Sequence, residues 1–447
     1  MRKNFNGRAA IMILVLLISS CQLPERRDTA RSMLSPRYDP ALAHTLVKKL
    51  TDIIVVDIFT PPVASRIYAN TSLAMYEAIR FLDTSQPSIA SKLNGFDPMP
   101  LPEKGVVHDF SISAVQAFCE TAKKVTFSAD EIQRFKDSLI GRLSAGMDKE
   151  VLNNSLVFGT RVADVIVRRL AADNYQETRG MERFEVNTKD PARWVPTAPD
   201  YADALEPHWF KMKPFVLKRP DEYRADPFPA YDRRKGSRFY NEMNEVYAIS
   251  KQLTEEQIDI TLFWDDNPFI SKHKGHVMFQ DKKMTPGGHW MAITQTACRL
   301  RNADLVGSAK AYVGTSIALY DAFISCWFEK YYSARIRPQT AIQRLIDDQW
   351  FSYLQTPPFP EYTSGHSTIS ASAAEALTHI FGDNIPFTDS SELEYGLPVR
   401  SFSSFRQAAQ EASISRVYGG IHFRSGCDNG NKLGIRVGEA VIQRVFK

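Results

Sequence analysis

The sequence predicts an all-α fold, and two observations carry that expectation. From Leu152 the apolar or small positions Leu156, Gly159, Ala163, Ile166 and Leu170 step by 4, 3, 4, 3 and 4, which traces one face of a helix. No run alternates polar and apolar residues strictly enough to build a substantial sheet. A chain of 447 residues can bury one large core or two, and 44% apolar with 24% charged residues places it among globular proteins. Disordered chains and disulfide-stapled miniature scaffolds are excluded.

The first twenty residues have a basic start, an apolar run over 9–18 too short to span a bilayer, and then Ser19, Ser20 and Cys21. Residues 1–20 read as a secretory signal. Small residues directly before a lone cysteine resemble the bacterial lipobox, so cleavage before Cys21 and lipidation of Cys21 are expected. The mature protein is then an exported lipoprotein facing the periplasm or cell exterior, attached to a membrane by its lipid anchor only. Without Arg2, Lys3 and Arg8 the net charge falls from +4 to 4 − 3 = +1, which leaves no electrostatic footprint for nucleic acid.

Residues 21–40 are polar and aperiodic, a linker. Thr60-Pro61-Pro62 separates helices expected over 41–57 and 64–82. Ser128 and Glu131 have capping-box spacing ahead of Ile132, Phe135 and Leu139, which starts another helix. Eight prolines over 191–229 exclude a continuous helix or a central strand there. That segment reads as a long ordered loop, either covering a site or simply connecting two helical halves. The division expected is an N-terminal helical region, 41–290, and a C-terminal helical domain, 291–447. Cys119, Cys298, Cys326 and Cys427 show no spacing that indicates pairing.

Unusual residues concentrate in three short C-terminal segments: Lys330 with Arg337-Pro338, then Thr363-Ser364-Gly365-His366, then Ser415-Arg416 with His422. Three cations, a hydroxyl, a glycine amide and two imidazoles are the inventory needed to hold a tetrahedral oxyanion and do chemistry on it. Lys330 and Arg337 are seven apart, two turns if both lie on one helix, so both side chains could project from one face. The Ala-rich stretch after His366 is helical in pattern, which puts the Gly365 amide near a helix N-terminus, where anions bind. Arg416 ends a helical run that Gly419-Gly420 breaks, turning His422 back towards the same pocket.

At these residues the chain resembles a known superfamily, the type 2 phosphatidic-acid phosphatases and vanadium-dependent haloperoxidases, which share the pattern K-x6-RP, PSGH, SR-x5-H. The stretches 57–68 and 263–268 look like its bacterial haloperoxidase-like branch. Two departures are visible. Thr363 stands where proline is usual, and Gly426 stands where an aspartate is expected four residues after the second histidine.

The resemblance implies that His422 binds vanadium through one ring nitrogen. It further implies that Lys330, Arg337, Arg416, Ser364 and the Gly365 amide hold the vanadate oxygens, and that His366 acts as acid–base on peroxide. Phosphate can occupy the same site. In the phosphatases the corresponding His422 would be the nucleophile, with His366 protonating the leaving alcohol. Trp327 and Phe359 occupy places that line the halide pocket in fungal members. They tilt the expectation towards a haloperoxidase oxidising halide with hydrogen peroxide, ahead of a secreted acid phosphatase or a non-catalytic oxyanion binder. Irregular spacing argues against a metal cluster of His273, His276 and His289 with Asp265 and Asp266, and these histidines are expected at the surface or stabilising loops. Asp265 or Asp266 could orient Arg416, while Cys326 and Cys427 read as packing residues.

Overall fold

A computed structural model describes residues 38–447 apart from Phe269, Gly275 and His276, and apart from the side chains over 269–281. The expected signal sequence, Cys21 and the linker through residue 37 lie outside the described residues, as do the side chains of His273 and His276.

Helix α1 (Ala41–Val56) is followed by α2 (Pro61–Ile79). Thr60 caps α2 by accepting the Val63 N–H at 3.4 Å, and Pro61 takes a first-turn position whose N–H would have no helical partner. A single 3-10 turn, Arg80–Leu82, completes the segment expected to end at residue 82. Helices α3 (Phe110–Lys123), α4 (Ala129–Leu143) and α5 (Lys149–Ala171) follow, with a short α6 (Tyr175–Arg179). The periodic face of α5 buries Gly159, Ala163, Ile166 and Leu170, while Leu152 and Leu156 are half-buried. The capping box expected before α4 does not form. Asp57 takes the Ser128 hydroxyl and accepts the Phe127 and Ser128 N–H groups at 2.8 and 3.1 Å, and Glu131 turns to Lys49.

The proline-rich segment holds only one helical turn, Trp209–Lys211, and is tied down by its backbone. The Trp194 N–H donates to the Ala334 carbonyl at 2.7 Å and the Leu205 N–H to that of Pro358 at 2.8 Å. The buried carboxylate of Asp321 accepts three successive N–H groups, from Phe215, Val216 and Leu217, at 2.8–2.9 Å. Of the two readings of this loop, covering and connecting, it does both, since Leu205 reaches the pocket described below.

Next come α7 (Arg238–Ser250), α8 (Glu255–Phe263) and an antiparallel hairpin of β1 (Ile270–Lys274) and β2 (Val277–Asp281) in which Ile270 pairs Asp281. Helices α9 (Pro286–Leu300), α10 (Leu305–Ser333), α11 (Pro338–Leu345) and α12 (Gly365–Phe381) lead to a second hairpin, β3 (Phe387–Asp389) with β4 (Arg400–Phe402). Helices α13 (Phe405–Tyr418) and α14 (Arg424–Val445) close the chain. Two short hairpins among this many helices keep the class all-α.

Beyond Pro61 every residue of α2 is buried, as is most of α10, and these two helices pack together at the centre. The described residues from 38 onward form one compact unit, and its main apolar cluster joins Ile67 and Leu73 to Leu319, Leu377 and Val437 across residue 290. Helices α12 and α14 lie so close that a Cβ on Gly434 would sit 2.1 Å from the Thr368 carbonyl oxygen, and one on Gly438 2.7 Å from that of Ser372. No helix among the described residues is long and apolar enough to cross a membrane.

Candidate active site

Three chain breaks bring the three segments together. Helix α10 ends just past Lys330, with Ala334 in the left-handed region at φ 43°. Arg337 precedes Pro338 and is therefore extended, at φ −83° and ψ 152°, as the N-cap of α11. The expectation that Lys330 and Arg337 share one helix face is thus wrong: the pair straddles two helices, and the proline forces the break. Ser364 is the N-cap of α12 and accepts the Ser367 N–H at 3.3 Å, so Gly365 and His366 lie in the first turn, as expected. Gly420, at φ 76°, reverses the chain after α13 and carries His422 back beside Arg416.

Gly365, His366, Arg416, His422, Trp327 and Phe359 all line one small pocket of about 60 Å³, with Leu205 and several prolines at its apolar wall. Lys330, Arg337 and Ser364 stand immediately behind this lining. The Lys330 ammonium donates to the carbonyls of Pro360, Glu361 and Thr363, which fixes the strand leading into Ser364. The Arg337 guanidinium donates from Nε to the Phe359 carbonyl and from Nη1 to that of Ile421, both at 2.8 Å, and Nη1 also lies 3.1 Å from His422 Nε2. Arg416 donates to the Trp264 carbonyl at 2.6 Å and to Ser415 Oγ at 2.9 Å. The rings of Trp327 and Phe359 are 5.2 Å apart, and Lys330 and Arg337 lie 4.8 and 4.9 Å from the Phe359 centroid.

The charges of this cradle oppose one another. Burial pushes Lys330 down to about 7 and Arg337 down to about 10, and it lowers Arg416 as well. Burial, reinforced by neighbouring cations, also holds His366 and His422 well below the ordinary histidine range. Arg337 Nη2 is buried with no hydrogen-bond partner. Concentrated positive charge, a spare buried donor and a helix N-terminus are what a tetrahedral oxyanion requires, so the residues present fit vanadate.

Several functional residues escape sequence reasoning. Glu361 Oε1 lies 2.9 Å from His422 Nδ1, while Oε2 pairs with the buried Arg335 at 2.9 Å. This carboxylate supplies the support that the absent aspartate would give. Gly426 makes room for it, because a Cβ there would lie 2.0 Å from Glu361 Oε1. A glycine in the aspartate's place was the available signal. The expected surface position of His289 is overturned, since it is fully buried between two carboxylates, whereas the loop-stabilising role is kept: it ties Asp266, in the segment after α8, to Asp389. Asp266 hydrogen-bonds His289 and Arg416 donates to the Trp264 carbonyl, so the two aspartates expected to orient the arginine act on it through their charges. Among the described residues the four cysteines are unpaired and buried, with Cys326 Sγ 3.5 Å from the Thr363 carbonyl oxygen.

Residues 310–447 match the family of the VCPO second helical-bundle domain. A bacterial vanadium-dependent iodoperoxidase of known structure is 43% identical, with a TM-score of 0.86 over 91% of this chain and 97% of that one. Holo and apo forms of a bacterial vanadium-dependent chloroperoxidase share the fold at 16% and 17% identity. Their TM-scores are 0.64 and 0.67, over 87% of this chain and 93% and 94% of theirs. No curated protein matches the chain. The chain belongs to the vanadium haloperoxidase family and is a vanadium-dependent haloperoxidase.

Proposed function

We propose that the protein holds vanadate on His422 and catalyses H2O2 + I⁻ + H⁺ → HOI + H2O. The iodide choice is supported by the 43% identical iodoperoxidase and by the apolar wall, which suits the least hydrated common halide. The observation that carries the reading is the fixed proximal histidine. With Glu361 on Nδ1, the lone pair of His422 is confined to Nε2, beside Arg337. When bound, vanadate supplies a Lewis acid that polarises peroxide. Arg337, Arg416, Lys330 and the Gly365 amide neutralise the negative charge, and Ser364 offers its hydroxyl proton. His366, held neutral by burial and its cationic neighbours, takes a proton from peroxide. Trp327 and Phe359 exclude water from the reacting halide.

The test is turnover of purified protein with and without orthovanadate, on iodide, bromide, chloride and a phosphate monoester. Iodide oxidation that depends on both vanadate and peroxide is expected; phosphoester hydrolysis alone, and only without vanadate, would replace this reading with the acid phosphatase. The proposal extends to the exported, membrane-anchored state. Cys21→Ser is expected to move the protein from membrane to soluble fractions, because the acyl chains would be missing. A wild-type protein that is already soluble, with a different N-terminus, would refute the anchor.

A further inference from the structure

The two carboxylate oxygens of Asp266 face different histidines. Oδ1 lies 3.0 Å from His289 Nδ1, and Oδ2 lies 3.7 Å from His366 Nε2. Both Asp266 Oδ2 and His366 Nε2 are buried and have no hydrogen-bond partner. On its other side, His289 places Nε2 2.8 Å from Asp389 Oδ2, and its ring stacks on Trp264 with centroids 4.6 Å apart and planes 23° apart. The whole group is held by three separate elements: the segment after α8, the first turn of α9 and the strand β3.

We propose that Asp266, clamped through His289 to Asp389, is a positioning residue that sets the tautomer and basicity of His366. The inference rests on the reading of His366 as the acid–base. An imidazole that meets a carboxylate oxygen at each nitrogen carries a proton on each, which makes His289 a buried imidazolium. The stacked face of Trp264 suits that charge. Burial alone would lower the pKa of His289, but Asp266 and Asp389 outweigh it and raise it well above the ordinary range. The other titratable groups around His289 are Glu392, whose Oε1 is 3.8 Å from Nδ1 and on which the charge of Lys283 also acts, and His366, which feels the His289 charge. Burial pushes the Glu392 carboxyl up, which favours its neutral form and leaves the imidazolium to the two aspartates.

With its charge secured in this way, Asp266 favours a proton on His366 Nε2 and leaves Nδ1 as the basic nitrogen for peroxide. Its negative charge opposes the cationic groups that also act on His366, namely Arg416, His422, His289 and Lys330.

Neutron diffraction from crystals of perdeuterated wild-type protein tests the clamp directly. Deuterium on both nitrogens of His289, and none on Asp266 or Asp389, is the expected result. Asp266→Asn should lower kcat for vanadate-dependent iodide oxidation about 10- to 100-fold while changing the KM for peroxide less than about threefold. Loss of the aspartate charge lowers the pKa of His366, so its basic form survives to lower pH and the acid limb of the rate profile moves down. A bare nitrogen on His289 would overturn the proposal. So would a divalent metal seated between His289, Asp266 and Glu392, or an Asp266→Asn enzyme with unchanged kcat and pH profile. If the variant fails to fold, the same neutron map decides at His366 itself, where deuterium on Nε2 and a bare Nδ1 are expected and the reverse would overturn the proposal. Wild-type protein that does not oxidise iodide with vanadate would instead refute the proposed function, and the clamp would stand or fall separately.

Discussion

Alanine at position 422 is expected to abolish tight vanadate binding, whereas alanine at position 366 should leave the anion bound and slow turnover by about 10²–10⁴-fold. The asymmetry follows from the two environments. On the proposed reading, His422 Nε2 supplies the one coordinate bond from the protein to the metal, and no hydrogen-bonding neighbour can replace it. His366 supplies a proton-transfer site, while Arg337, Arg416 and the Gly365 amide would continue to hold the oxygens and Lys330, its donors taken by three carbonyls, would add only its charge. Vanadate titration of both apo variants, followed by peroxide-dependent halide oxidation at saturating vanadate, separates the roles. Equal losses of affinity would show that the division between the two histidines is wrong.

Glu361→Ala should be the most damaging change outside the residues lining the pocket. The side chain is fully buried and bonds to both His422 and Arg335. Removing it frees the orientation of the proximal imidazole, a loss of about 10–100-fold in metal affinity at comparable sites. It also leaves Arg335 buried with only Glu242 to balance it, where breaking a buried pair costs about 3–5 kcal/mol. Gly426→Ala approaches the same result from the opposite side. Its new methyl group would overlap Glu361 Oε1 and drive the carboxylate off His422. Denaturant unfolding and vanadate titration measure the two effects independently. A Gly426→Ala protein with wild-type affinity would mean that Glu361 does not support His422.

What could be read in the sequence was whatever depends on neighbours along the chain. Helical class, the helix start beside Gly365 and the reversal at Gly419-Gly420 are settled by residues within a few positions, and the structure has all three. The motif spacing also marked which side chains would meet. The misreadings arise where a distant group outcompetes a local one. Ser128 has a capping partner three residues away, yet Asp57 takes its hydroxyl from 71 positions upstream. Glu361 and His422 are 61 residues apart, and His289 and Asp389 are 100 apart, so no periodicity links them. Leu205 carries no signature of a pocket residue, because its place there is fixed by a backbone bond to Pro358. The separation of Lys330 from Arg337 was legible in principle, since a residue before proline seldom continues a helix.

The near-contact of α12 and α14 at Gly434 and Gly438 has a mechanical consequence. Helix α12 carries Gly365 and His366 in its first turn, and its backbone is meshed with a neighbour at a spacing that admits no side chain. Sliding or rolling of that helix would collide two backbones within a fraction of an ångström. The Gly365 amide and the His366 ring are therefore carried on a stiff frame and keep their places relative to α14. On the proposed reading, vanadate would meet a helix N-terminus already in position, so loading the site would ask no rearrangement of α12.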